Sequence, residues 1–156
     1  MNYQQLAEEF VLTVKSMNKS SFMMDLNRYS KGEMLVLNYL FKHQEESTVP
    51  SDLRNYTKTS SARIAAILGS LDAQGYITRE IDRRDRRKIL VSLTEQGRSV
   101  ACAYHNAMLN RLASVFEHMG QAESQAFIER LKDFVEAGKI INSQQEDQSQ
   151  EIERER

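Results

Sequence analysis

Residues 76–93, YITREIDRRDRRKILVSL, decide how this chain is read: two short strand-like runs enclose a loop that carries four arginines and two aspartates. In the second run Ile89, Val91 and Leu93 alternate with Lys88, Leu90 and Ser92, and Tyr76 to Ile81 is rich in residues that favour strands, so the stretch predicts a β-hairpin. Its tip presses positive charge toward an anion. Immediately upstream, Ser60 is a good N-cap for a helix running to about Ala73, with Ile64, Ile67, Leu68 and Leu71 on one face. The opposite face is Ala62, Ala66, Gly69 and Ala73, flanked by Ser61, Arg63, Ala65 and Ser70. A helix stripped of bulk on its outward face can approach a partner surface closely, as a major groove requires. The plainer alternative is that small residues there only avoid crowding or favour helix. Gly75 suits the left-handed position that ends the helix.

Working outward, a brief helix at about Ser51 to Thr57 and the turn Lys58-Thr59 precede the capped helix, with Val49-Pro50 as a short edge strand before them. Ser30-Lys31-Gly32-Glu33 reads as a capping box opening a helix to about His43, its buried side Met34, Leu35, Leu37, Leu40 and Phe41. Residues 3 to 18 carry Leu6, Phe10, Thr13, Val14 and Met17 at helical period. A polar interruption, Asn18 to Ser21, and an apolar link containing Phe22, Met23, Met24 and Leu26 follow. Beyond the hairpin, Thr94 caps a long helix from Glu95 to about His118, Gly120 breaks it, and a last helix from about Gln121 to Ile141 carries Phe127, Leu131, Phe134 and Val135. From Asn142 onward apolar residues almost vanish, which predicts a frayed or disordered polar tail over 142–156.

The net charge of −1 is unevenly spread. Between Asp52 and Arg98 ten basic residues face six acidic ones, so this window is +4 and the remainder −5. That asymmetry suggests one anion-binding face on an acidic body. A single cysteine, Cys102, and no leader or membrane-length apolar run point to the reducing cytoplasm. Cys102 and His105 share a helix face and His118 lies on the same helix, but no second pair of ligands supports zinc or a redox centre, and neither metal nor cofactor is expected. No Ser/His/Asp set, paired carboxylates or Gly-rich phosphate loop suggests an enzyme, so no catalytic residue is assigned.

Short helix, turn, capped helix, hairpin with a basic loop is the order of a winged helix-turn-helix. Asp82-Arg83-Arg84-Asp85-Arg86-Arg87 resembles the D-x-R-D-x-R wing of the multiple antibiotic resistance regulator (MarR) family, and Val91-Ser92-Leu93-Thr94-Glu95-Gln96-Gly97 its V-x-L-T-x-x-G continuation. Tyr29-Ser30-Lys31-Gly32-Glu33 with Leu37 is similar to the family's L-T-x-x-Q…L helix opening, with Tyr, Ser and Glu as departures. The resemblance covers residues 3 to 141. It implies a mainly α fold with a small β-hairpin wing: a winged helix-turn-helix over 29–94, and N- and C-terminal dimerisation helices over 1–28 and 95–141. It also implies a homodimeric transcription regulator, more readily a repressor, that binds palindromic double-stranded DNA and responds to a small aromatic or apolar effector.

On this reading Arg83, Arg84, Arg86, Arg87 and Lys88 neutralise phosphates, and Arg86 is the arginine expected to enter the minor groove. Ser60 and Ser61 offer hydroxyls and free amides to a phosphate, and Ala62, Ala65 and Ala66 contact thymine methyls. Arg63 is the long side chain able to reach a base; its alternative is a bond to Asp52 or to a phosphate. Asp82 and Asp85 brace the wing, and by resemblance Asp85 pairs with Arg84 or Arg87. Met17, Phe22, Met23, Met24, Met34 and Tyr39 are the expected effector pocket, with ordinary core as the alternative for each. The rival function is a winged-helix module whose arginines bind an acidic protein partner.

Overall fold

The computed structural model describes residues 2–154, the side chains of 146–154 excepted. The elements are α1 (Tyr3–Met17), α2 (Ser21–Tyr29), α3 (Gly32–Lys42), α4 (Pro50–Thr57), α5 (Ser61–Ala73), β1 (Ile77–Ile81), β2 (Ile89–Leu93), α6 (Glu95–Met119) and α7 (Gln121–Arg154). They fall into two units, residues 1–109 and 110–156, which are described separately. The division lies inside α6.

In the first unit one core joins the winged helix-turn-helix. Val36, Leu37 and Leu40 of α3, Leu53 of α4, Ile64, Leu68 and Leu71 of α5, Ile77 of β1, Val91 of β2 and Ala101 of α6 are buried together. Each large aliphatic side chain withdrawn from water in this way contributes roughly 1.5–3 kcal/mol. The apolar face expected for α5 is the face it buries. On α3 the buried set includes Val36 and Asn38, which the helical stripe did not single out. The Asn38 side-chain amide donates to the Tyr29 carbonyl at 3.5 Å, linking α3 to the end of α2.

Two local expectations are corrected. The apolar link is a nine-residue helix, α2. The capping box at Ser30 does not form: the Ser30 hydroxyl donates back to the Leu26 carbonyl at 2.7 Å, and α3 starts after Lys31, at Gly32, whose φ is +62°. Ser30 therefore closes α2 and leaves the first turn of α3 uncapped by a side chain. The helix α7 runs on past Asn142 to Arg154, along a run without proline or glycine; residues 155–156 lie outside the described residues.

The strands pair antiparallel with Ile77 opposite Leu93 and Ile81 opposite Ile89. The Val91 N–H donates to the Thr48 carbonyl at 2.9 Å, so the edge bridge anticipated at Val49-Pro50 sits one residue earlier, and Pro50 opens α4. Alternation holds where the hairpin crosses the core, at Ile77 and Val91. It lapses at the outer pair Ile81 and Ile89, both exposed where the wing projects beyond the core.

In the second unit the break at Gly120, φ +86°, falls where the sequence placed it. The buried Ser124 hydroxyl lies 2.7 Å from the Gly120 carbonyl and 3.0 Å from that of Phe116, fixing the start of α7. Along α7 Phe127, Leu131, Phe134 and Val135 form an exposed apolar row, as do Leu6, Phe10 and Val14 on α1 in the first unit. No described helix is long and apolar enough to cross a membrane.

Candidate nucleic-acid interface

The reading head is built by three local devices. The first is the turn between α4 and α5. The Asp52 carboxylate accepts the Val49 N–H at 3.0 Å at the start of α4, and Lys58 adopts the left-handed conformation, φ 51°, to end it. That conformation is uncommon for a non-glycine residue, and here it reverses the chain within two residues. Ser60 then caps α5, its hydroxyl accepting the Arg63 N–H at 3.2 Å. Ser61, Ala62, Arg63, Ala65 and Ala66 lie on the exposed side of α5 while Ile64, Ile67 and Leu68 are buried. The expected Arg63–Asp52 alternative does not form, since Arg63 makes no ion pair among the described residues.

The second device joins α5 to the wing. The Tyr76 N–H donates to Leu71 and the Gly75 N–H to Asp72, both at 2.9 Å, with Gly75 at φ +72°, a complete Schellman termination. Arg79 on β1 reaches back to Asp72 on α5, Nε to Oδ2 3.3 Å. The sequence reading gave neither residue a role. They lie on different elements, Asp72 on α5 and Arg79 on β1, so only the fold brings them together. Arg79 is thereby held over α5 as a positioning contact.

The third device is the wing tip. Asp82 Oδ1 accepts the Arg84 N–H at 2.7 Å, and Asp85 Oδ1 accepts the Arg87 N–H at 3.1 Å. The Asp82 N–H donates to the Lys88 carbonyl, and the Lys88 N–H to that of Asp85, closing the loop. The aspartates thus grip backbone amides; the guanidinium pairing expected of Asp85 does not form. The consequence is electrostatic. A carboxylate engaged by a backbone N–H shapes the loop without occupying a guanidinium. Arg83, Arg84, Arg86, Arg87 and Lys88 are all exposed and form no ion pair among the described residues.

Behind the wing, Thr94 and Gly97 set the start of α6. The Thr94 hydroxyl donates to the Gly75 carbonyl at 2.7 Å and accepts the Gly97 N–H at 2.9 Å, while the Thr94 N–H donates to the Tyr76 carbonyl at 3.0 Å. A Cβ on Gly97 would overlap that Tyr76 carbonyl, so only glycine permits the approach. The residues Thr94 and Gly97 of the V-x-L-T-x-x-G stretch therefore weld the hairpin to the long helix.

The six residues expected to line an effector pocket are dispersed in environment. Met34 and Tyr39 pack against the core, Phe22 and Met23 are half-buried, and Met17 and Met24 are exposed. Tyr39 stacks on His43 at 4.1 Å and leans on Tyr56 at 4.7 Å between ring centroids. None of the six lines a cleft of about 370 Å³ that opens beside the α4–α5 turn. Cys102 and His105 do not join in a common site: Cys102 Sγ accepts from the Asn106 amide at 3.5 Å, and His105 Nδ1 lies 2.6 Å from the Tyr29 hydroxyl. Burial, and secondarily Tyr56, push the Tyr29 phenol above its ordinary value.

Helix, turn, recognition helix and charged hairpin define the class, a winged-helix DNA-binding domain. Residues 33–112 match the family model described as a winged helix DNA-binding domain, and the chain belongs to that family. The resemblance to MarR regulators holds as well. Among curated proteins the chain is 25% identical over 107 residues to the HTH-type transcriptional repressor YetL of Bacillus subtilis (strain 168), a match over 69% of this chain and 64% of that repressor. The chain thus spans somewhat under two thirds of that relative's length. Among solved structures, MepR, a transcription regulator of the Staphylococcus aureus multidrug efflux pump MepA, superposes with a TM-score of 0.65 at 16% identity, covering 88% of this chain and 98% of MepR. FabT of Streptococcus pneumoniae, in complex with DNA, gives 0.66 at 17% identity, covering 86% and 96%. MepR has also been solved with DNA and with ethidium bromide. At such identities these likenesses speak to the fold.

Proposed function

We propose that this chain is a sequence-specific regulator of transcription that binds double-stranded DNA as a homodimer on a palindromic operator, acts more readily as a repressor, and works in the cytoplasm under the control of a small-molecule effector. The observation that carries the reading is the set of five exposed cations, without an ion pair among the described residues, on a hairpin whose two loop aspartates are spent on its own backbone, beside a recognition helix with a bare outward face. Ser60 to Ala73 enters a major groove and the wing the flanking minor groove, with Arg86 at its tip. The phosphate contacts supply most of the affinity, and the small face of α5 leaves base readout to Arg63 and to thymine methyl contacts with Ala62, Ala65 and Ala66.

The repressor name of YetL and the DNA complexes of FabT and MepR support this reading, and the ethidium complex of MepR supports an effector. Dimerisation is supported by the exposed apolar rows on α1 and α7. We assign it to residues 1–28 and 95–141. Selection of genomic fragments with the purified full chain tests the proposal: it should enrich palindromic sites that hold two chains each. Absence of salt-sensitive binding to any duplex would overturn it in favour of a module that binds an acidic protein partner.

A further inference from the structure

The seat of α2 on the winged unit rests on polar groups as much as on apolar ones. No residue of α2 is buried, and its apolar residues Phe22, Met23 and Leu26 are only half-buried. At its end the Tyr29 hydroxyl lies 2.6 Å from His105 Nδ1 on α6, and the His105 ring neighbours those of Tyr29 and Phe41, at 6.1 and 6.3 Å between centroids. Burial raises the phenol above its ordinary value and keeps it protonated, so the hydroxyl donates and Nδ1 accepts. Asn38 of α3 completes the cluster. Its side-chain amide reaches the Tyr29 carbonyl at only 3.5 Å, and its Oδ1, in a residue 5% exposed, has no hydrogen-bond partner among the described residues. A buried acceptor without a partner costs the docked state an interaction that water supplies once the site opens. The connection is also compliant: Ser30 and Lys31 separate α2 from α3, and Gly32 follows at φ +62° with nothing within 4 Å of an added Cβ.

We propose that Tyr29, His105 and Asn38 form a poised latch: the Tyr29–His105 bond holds α2 down, the unpaired Asn38 side-chain carbonyl works against it, and α2 undocks as a local opening while α5 and the wing stay folded. A nine-residue helix is too short to persist alone in water, so undocking is also local unfolding. Neither force dominates. One hydrogen bond stabilises by about as much as one orphaned acceptor costs, so the closed and open joints lie within reach of each other. The helix α1, which precedes this joint and carries the row of Leu6, Phe10 and Val14, moves with it. On the dimer reading above, which this last step alone requires, the latch fixes the separation of the two reading heads.

The test is amide hydrogen exchange of the full chain, read over residues 22–31 with Ile64 to Leu71 of α5 as the internal reference. Tyr29→Phe keeps the ring and removes the donor; it should raise exchange over 22–31 about fivefold and leave α5 unchanged. Asn38→Leu replaces the orphaned amide with an apolar group of similar shape and should lower exchange over 22–31 by about the same factor. In a His105→Leu background, which lacks the acceptor, Tyr29→Phe should no longer raise it. Unchanged exchange over 22–31 in Tyr29→Phe, a rise shared equally by α5, or a rise of the same size in the His105→Leu background overturns the latch. Equal or faster exchange in Asn38→Leu overturns the opposing role of Asn38. For the last step, the parent and Tyr29→Phe are compared on palindromic duplexes of two half-site spacings: the parent should discriminate between them and the variant should bind both nearly alike. Equal discrimination overturns the coupling. If no duplex binds, the functional proposal fails while exchange still decides the latch.

Discussion

Gly97→Ala should destabilise the protein, against the usual sign for a helical glycine. Replacing glycine by alanine inside a helix ordinarily gains about 0.8–1.0 kcal/mol. At Gly97 the new Cβ meets the Tyr76 carbonyl oxygen, its carbon and its Cα, all backbone, so no side chain can swing aside. Relief requires the first turn of α6 to move off the hairpin. Overpacking of this kind costs roughly 1–3 kcal/mol. The same movement strains the three bonds through Thr94, to Gly75, Gly97 and Tyr76, each worth about 0.5–1.5 kcal/mol. With one or two of them lost and the helix gain subtracted, the net loss is about 2–3 kcal/mol. Equilibrium urea unfolding at fixed protein concentration should show a midpoint lower by about 1 M at unchanged slope. Gly138→Ala in α7, where nothing lies within 4 Å of the added Cβ, is the control and should be neutral or mildly stabilising. A Gly97→Ala midpoint equal to or above the parent's would refute the steric account of the junction.

Three further outcomes follow from the same geometry. Asp85→Ala, which removes the acceptor of the Arg87 N–H, should loosen the wing and weaken duplex binding several-fold, while Asp85→Asn, which keeps the acceptor, should retain most of it; fluorescence anisotropy compares the two. Arg79→Ala should cost no more than about 1 kcal/mol of stability in urea unfolding, because the pair with Asp72 is partly solvated, yet it should alter hydrogen exchange at the base of β1. Burial raises the Tyr29 phenol, so its neutral form is favoured in the folded state: the stability it contributes is complete below the ordinary value of 10.0 and is lost as pH rises through the elevated folded value. Alkaline unfolding at several pH values above 10 should therefore be shallower in Tyr29→Phe, which has no proton to lose there.

The parts of this fold that were legible in the chain are those specified by local chemistry. Ser60 and Gly75 mark the two ends of α5 because one side chain can cap a free amide and one residue can turn left-handed cheaply. The alternation of Ile89, Val91 and Leu93 set the hairpin, although burial at Ile89 was lost because alternation reports pleat and not how far the wing extends past the core. The illegible parts are those decided by competition or by distance. Ser30 satisfies the pattern of a cap for α3 and equally that of a residue closing α2, and the chain between Phe22 and Leu26 is too short for a helical stripe to stand out. The backbone grip of Asp82 and Asp85 is local, but a row of alternating aspartates and arginines offers guanidinium partners just as readily. Arg79–Asp72 and the cleft joining Lys31 to Lys58 and Arg63 exist only once α3, α5 and β1 are packed.

The central claim is that the wing's free cations bind DNA phosphates and its minor groove. Binding of the full chain and of Arg86→Ala to one duplex across a series of salt concentrations tests it most directly. The account predicts a steep fall of log K with log salt for the parent, and for Arg86→Ala a lower affinity with a slope reduced by about one counterion. Equal affinity and equal slope for the two proteins would remove the wing from DNA recognition.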